Sequence, residues 1–424
     1  MGSMNTMLRG LLKPAIMLAW IVGGHVACTQ TAVPPDQGAS EQETFATGFA
    51  YESTGELPAV EIHPDSGNRL PLIRREDLDE RGQQAYDAAV SATGELRGAA
   101  AIRLHGSGVD VRWESPLGRR LTELAILTQA REYHQPYEWS LHEMEALAVG
   151  LESEIIDIVR DQQPLAGSVP GLGDREAIII QMGREIFGEF MLSPDTYVRG
   201  LQILGKSNFV DVAGLMTQYA GTATRLTAVN QHMPPGWKDF LPLPFTRPAD
   251  IHPDTRSRLP LVVRPTETLP AATPGSPELY RRGLAPEGTG PGQIRRHGAG
   301  LASLETSVGR RLMSLAVLVT SRPHNQQYHW TVSEATARGD GLETAIVDVV
   351  RDNLPVTGLG EPEAALIAFG RELFGQRNIS AETYARALRV FGQTDLSDFI
   401  TLMAQHASEV PLLIAFDQQG RATE

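Results

Sequence analysis

The chain has 424 residues, a formal net charge of −14 and a single cysteine, Cys28. The acidic balance argues against a nucleic-acid partner, because phosphate binding needs clustered lysine and arginine side chains. One cysteine excludes a disulfide framework, a cysteine-ligated zinc site and any two-thiol redox cycle. The length and an apolar fraction of 42% predict two or more packed domains.

The first 28 residues resemble an export signal. Two basic residues precede a short apolar stretch, small residues follow it, and Val26-Ala27-Cys28 resembles a lipoprotein processing site. The polar residues 29–58 predict a disordered tether. We therefore expect an exported protein, either periplasmic or held at a membrane by a lipid on Cys28. The alternative is an uncleaved hydrophobic N-terminus.

The rest of the sequence predicts a tandem duplication of one domain. Close to half of the aligned positions are identical in its longest gapless stretch, far more than chance gives. The matching segments are 63–72 with 252–261, 118–164 with 309–355, and 183–220 with 370–407. We predict a first domain over 59–235, a proline-rich linker over 236–250 and a second domain over 251–420.

Both predicted domains have helical patterns. Apolar side chains fall on one helical face at Leu121, Leu124 and Ala125, and a second apolar run covers 155–159. Ser193-Pro194-Asp195 has the order of a helix start, with a capping residue, a proline and an acid. Strand-like alternation is scarce, so the fold class is predicted to be all-α, in two tandem multi-helix copies.

Three polar residues of the first copy form a candidate acid/base set. Glu138 and His142 lie four residues apart and share a face of one predicted helix. Glu123, on the preceding helix, reaches the same place if the two helices run antiparallel. Two carboxyl groups and an imidazole in a partly dry pocket are typical of proton-transfer catalysis. A solvated surface pair is the alternative interpretation.

Two runs, Arg120 to Leu127 and Tyr137 to Leu151, together resemble the carboxymuconolactone decarboxylase and alkylhydroperoxidase-D-like family. The openings 69–72 and 258–261 resemble the start of that family's domain. The resemblance implies an all-α domain that assembles into rings. A fused pair would then form a trimer with the appearance of a hexamer.

The resemblance also implies roles for individual residues. The peroxidase branch of the family has cysteines at the positions of Gln135 and Glu138, whereas the decarboxylase branch has Glu and His at Glu138 and His142. The resemblance to the decarboxylase branch therefore implies a reaction that uses no thiol, metal or cofactor. The reaction would be loss of CO2 from, or isomerisation of, a small lactone or keto acid. His142 would be the proton shuttle, Glu138 would orient it, and Glu123 would be a second acid or base.

Other candidate residues surround this set. We name Gln135, Tyr137 and Trp139 as substrate-binding candidates, although core packing is the favoured explanation for the two aromatic residues. The second copy departs from the pattern, so it is either a structural partner or has its own site around His329. A non-catalytic protein that forms rings or binds a small ligand is the alternative to an enzyme. The equivalent positions of the second copy are Ser314, Gln326, His329 and Ser333.

Overall fold

A computed structural model describes residues 60–94, 96–166, 168–233, 236–262, 294 and 296–420. The predicted signal, tether and lipid attachment at Cys28 lie outside these residues. The all-α prediction is confirmed, because the described residues contain helices and no strand beyond two isolated bridges. No helix in these ranges has the length and apolar character that a membrane crossing requires.

We call residues 60–250 the first half and residues 251–420 the second half. The first half contains α1 (Glu80–Thr93), α2 (Gly98–Arg103), α3 (Val111–Glu114), α4 (Gly118–Glu132), α5 (Pro136–Ala148), α6 (Ser153–Arg160), α7 (Asp174–Gly183), α8 (Pro194–Leu204) and α9 (Lys206–Ala228). The second half contains α10 (Leu301–Ser321), α11 (Gln327–Gly339), α12 (Thr344–Arg351), α13 (Glu361–Gly370) and α14 (Ala381–Ala415). Short π-helical segments, Arg184–Glu189 and Arg371–Gln376, follow α7 and α13.

Local sequence accounts for where these helices begin and which face they bury. Ser193 caps α8 by accepting the backbone N–H of Thr196, and Pro194 occupies the first turn, as predicted. The apolar faces predicted on α4 and α6 are buried. Gly309 and Gly392 have φ values of 78° and 71°, so each interrupts a long helix of the second half with a kink.

The two halves meet where α9 crosses α14. Gly221 of α9 lies so close to α14 that a Cβ atom there would be 2.8 Å from the carbonyl oxygen of Ala404. Each core also contains the helix end of the other half. Leu412 and Phe416 belong to the first core, while Ala228 and Val229 belong to the second. Each core therefore includes side chains that reach it only because α9 packs against α14.

In each half, a buried glutamine after the last helix forms hydrogen bonds with the first loop of the other half. Nε2 of Gln231, after α9, donates to the carbonyl of Thr255 at 2.9 Å. Nε2 of Gln418, after α14, donates to the carbonyl of Ser66 at 3.0 Å. The backbone N–H of Gln419 adds a bond to the carbonyl of Gly67 at 2.7 Å. The beginning and the end of the described fold are therefore joined by hydrogen bonds.

Several contacts occur in both halves at aligned positions. Arg69 donates to the carbonyl of Leu192 at 2.9 Å, and Arg258 donates to the carbonyl of Ile379 at 2.7 Å. A duplicated unit predicts such recurrence, and the duplication stays a prediction that these contacts support. Other recurring pairs are Arg69–Tyr197 with Arg258–Tyr384, and Trp139–Glu143 with Trp330–Glu334.

The linker predicted over 236–250 packs against the first half. Leu241 is buried, and the backbone N–H of Phe240 donates to Oγ of Ser140 on α5 at 3.0 Å. The segment therefore covers one face of α5.

We predict that Gly221→Val destabilises the whole fold, because its Cβ would meet a backbone oxygen that cannot move independently. The expected loss is about 1–3 kcal/mol in the free energy of unfolding, measured by urea denaturation. Gly214→Ala, in the same helix, is the control, since nothing lies within 4 Å of its added Cβ. It should be neutral or stabilising by up to about 1 kcal/mol. Equal effects of the two substitutions would contradict a close crossing.

Candidate functional site

The site is built on α4 and α5, which pack against each other. The turn between them contains His134, whose φ is 49°. Gln135 caps α5, because its side-chain oxygen accepts the N–H of Tyr137 at 3.0 Å, and Pro136 occupies the first turn. Nε2 of Gln135 donates to Oγ1 of Thr227 on α9 at 2.9 Å. The side chain of Gln135 thus fixes the start of α5 relative to α9.

His142 and Glu123 form a buried pair. Nδ1 of His142 lies 2.6 Å from Oε2 of Glu123, and both residues are almost fully buried. An ionised carboxylate only accepts hydrogen bonds, so Nδ1 of His142 carries a proton in this contact, and the neutral form of the ring with this tautomer has its lone pair on Nε2. The ring edge of His142 meets Tyr219 of α9, with centroids 5.0 Å apart.

This geometry corrects the predicted orienting role of Glu138. The carboxylate that bonds His142 is Glu123, on the neighbouring helix, and not Glu138 one turn away on α5. The reason is that two arginines fix Glu123 close to the imidazole. Nη2 of Arg119 lies 2.6 Å and Nε of Arg112 lies 3.3 Å from Oε1 of Glu123.

The same two arginines join Glu123 to a second carboxylate, Glu145. Arg112 and Arg119 lie 2.6 Å and 2.7 Å from Oε2 of Glu145, and both guanidinium groups lie over the ring of Trp113. Two positive and two negative side chains thus balance each other in a buried network. Burial alone would raise the pKa of Glu123, but His142 and the two arginines outweigh burial and lower that pKa.

Glu138 has the opposite environment. It is 2% exposed, and neither carboxyl oxygen has a hydrogen-bond partner. Burial raises the pKa of Glu138 well above its ordinary value, and the positive charge of Arg112 offsets only part of that rise. The pKa values of the two carboxyl groups, Glu138 and Glu123, are therefore shifted in opposite directions.

The predicted substrate-binding aromatic residues are in the interior. Trp139 is 0% exposed and donates through Nε1 to Oε2 of Glu143 at 2.5 Å. Tyr137 packs with Leu226 and Met233 in a small separate cluster. Their positions are those of packed core side chains.

The second-half candidates make different contacts. Oγ of Ser314 donates to Oδ2 of Asp340 at 2.5 Å, and Ser333 is buried. Gln326 caps α11, in the same way as Gln135 caps α5, by accepting the N–H of His329 at 2.7 Å. Nε2 of His329 lies 3.1 Å from Nδ1 of His406 on α14. The structure therefore places His329 in a histidine pair, away from Ser314.

Two surface clefts stand out among the described residues. One, of about 650 Å³, lies along α11 and α12 and is lined by Trp330, Glu334 and Arg338. The other, of about 460 Å³, is lined by His63, Arg69 and Tyr197. Neither cleft is lined by Glu138 or His142.

Sequence reasoning did not identify four participants in the site. Arg119 stands four residues before Glu123 on α4, a spacing that predicts an ion pair. Glu145 stands three residues after His142 on α5, but its bonds go to arginines outside that helix. Arg112 and Tyr219 are distant in sequence, and no local pattern indicates them.

Comparisons of the chain with protein-family models, with curated proteins and with solved structures give no match. The family resemblance carried by the two sequence runs therefore stays a prediction.

We predict that Glu138→Gln removes a pH dependence of stability. A carboxyl group whose pKa is raised on folding stabilises the fold fully below its unfolded pKa of about 4.3, and this contribution is lost as pH rises towards the folded pKa. In that window, the free energy of unfolding of the variant should therefore rise relative to that of wild type by up to about 1.4 kcal/mol for each pH unit. Urea denaturation between pH 4.5 and 8 measures this.

Glu154→Gln is the matched control, because Glu154 is exposed on α6. The difference in free energy of unfolding between this variant and wild type should not change with pH. If the corresponding difference for Glu138→Gln is also independent of pH, Glu138 ionises in the folded protein as it does in the unfolded chain.

Proposed function

We propose that this chain is a carboxymuconolactone decarboxylase-like enzyme. It would catalyse thiol-free decarboxylation or isomerisation of a small carboxylated or enolisable lactone or keto acid. The observation that carries the proposal is the pair of opposite pKa shifts: the pKa of Glu123, which is bonded to His142, is lowered, whereas burial raises the pKa of Glu138. Groups driven apart in this way are typical of a base and an acid that share one reaction.

The proposed chemistry assigns one step to each group. In isomerisation, Nε2 of His142 takes a proton from an activated carbon, and the Glu123 carboxylate stabilises the imidazolium that forms. Glu138 gives its proton to a second carbon of the resulting enolate, and His142 then returns a proton to Glu138. In decarboxylation, CO2 leaves with the bond electrons remaining on the substrate, and Glu138 protonates the carbanion.

Peroxidase chemistry of the resembled family is not supported. It uses two cysteines, and Gln135 and Glu138 occupy those positions here. The single cysteine of the chain cannot complete a two-thiol cycle.

A second candidate function is a non-catalytic protein that assembles into a ring or binds a small ligand. It is favoured by the bonds that Arg112 and Arg119 make to Glu123, which would also be made by a purely structural network. The clefts, which do not reach His142, favour it as well. In either case we propose an exported protein, either periplasmic or anchored through Cys28, that forms a trimer with the appearance of a hexamer.

We predict that His142→Ser weakens ligand binding and strongly lowers turnover. Serine stands at the aligned position of the second half, so the substitution is expected to preserve packing. Thermal shift against unsaturated lactone acids and β-keto acids identifies ligands, because binding stabilises the folded state by mass action. Loss of a general base should then lower turnover by about 10²–10⁴-fold.

Two further variants separate catalysis from folding. Leu147→Ala, at a side chain of the same helix that is 48% exposed, should leave binding and turnover unchanged. Glu138→Gln should keep binding but lose turnover, since an amide cannot donate the proton. Turnover that is equal in His142→Ser and wild type would move the function to the non-catalytic candidate.

A further inference from the structure

We propose that the second half contains a binding site for a divalent transition metal of the zinc class, formed by His329, His406 and Glu409. The site is distinct from the Glu123–His142 pair and does not depend on the function proposed for that pair.

The three side chains converge on one point. Nε2 of His329 and Nδ1 of His406 lie 3.1 Å apart, and Oε2 of Glu409 lies 3.8 Å from Nδ1 of His406. The donor atoms all lie within 4.8 Å of one another. Two nitrogen ligands at about 2.0–2.1 Å from a tetrahedral zinc ion are about 3.3 Å apart, close to the observed separation of the imidazoles.

A hydrogen bond on the far side of His329 leaves the correct nitrogen available. Oγ of Ser321 lies 2.8 Å from the carbonyl oxygen of Val317 and 2.7 Å from Nδ1 of His329. When the hydroxyl donates to Val317 it accepts from Nδ1 of His329, and this tautomer leaves the lone pair of Nε2 facing His406. Metal-binding histidines are commonly oriented by such a partner on the second nitrogen.

The ligand set is rigid on one side and open on the other. His329 is buried and held at the start of α11 by Gln326. The side chains of His406 and Glu409, three residues apart on α14, are 19% and 44% exposed. An ion can enter from the Glu409 side, and a fourth position stays free for water, as in zinc sites with two histidines and one glutamate.

The donor chemistry selects the class of metal. Two imidazoles and one carboxylate suit zinc or cobalt, whereas calcium and magnesium prefer sites made of oxygen ligands. In the aligned first half, Glu138 and Tyr219 occupy the positions of His329 and His406. The ligand set is thus specific to the second half.

Cobalt titration of the full chain tests the proposal. The protein is purified without a histidine tag, stripped with a chelator and titrated with Co²⁺, and zinc is counted afterwards by elemental analysis. We expect one ion per chain, the visible absorption of tetrahedral Co²⁺, and displacement by Zn²⁺. No binding would show that His329 and His406 are simply a hydrogen-bonded pair, and the proposal would be overturned.

Variants locate the ion. His406→Tyr installs the residue of the aligned first-half position and should weaken Co²⁺ binding by at least about 100-fold. Glu409→Gln changes an exposed side chain, so it tests the site even if the tyrosine variant does not fold, and should weaken binding and alter the spectrum. His142→Ser is the matched control and should bind as wild type does. Unchanged affinity in Glu409→Gln, or lost affinity in His142→Ser, would contradict this ligand set.

Discussion

The crossing of α9 and α14 is the contact on which the rest of the structure depends. It brings a glycine of one helix against the backbone of the other, and it lets each helix end in the core of the opposite half. Both polar sites lie against these two helices, since Tyr219 is part of α9 and His406 is part of α14. The burial that shifts the pKa values of Glu123 and Glu138 in the first half therefore depends on the packing of both halves.

The contrast between Glu123 and Glu138 shows how partners, rather than burial alone, determine the charge of a carboxyl group. Both side chains are inside the protein. Glu123 accepts bonds from an imidazole and two guanidinium groups, whereas Glu138 accepts none. The effect of desolvation on the pKa is outweighed by these partners for Glu123, whereas for Glu138 the charge of Arg112 offsets only part of it. The bond to Glu123 also determines which nitrogen of His142 carries the proton towards it, and a defined tautomer is a requirement for directed proton transfer.

The sequence was sufficient to predict the fold class, the buried faces of α4 and α6, and the capped start of α8, because each depends on spacing within one segment. The sequence also predicted that Glu123, Glu138 and His142 lie on neighbouring helices, but the hydrogen-bond partner that it predicted for His142 was wrong. That partner depends on Arg112, whose position is set by a separate short helix. The pairing of His329 with His406 was missed for the same reason, since α11 and α14 are far apart in the chain.

The reciprocal closure by Gln231 and Gln418 has a topological consequence. Each half ends by bonding the loop that opens the other, so residues near 67 and 419 are neighbours in space. The first loop and the last residues of the described fold are thus close together. The contacts that hold them resemble the contacts at the junction between the two halves. The contacts of Gln418 with Ser66 and of Gln419 with Gly67 therefore hold the two ends of the described fold at the same place, which is the arrangement that circular permutation requires.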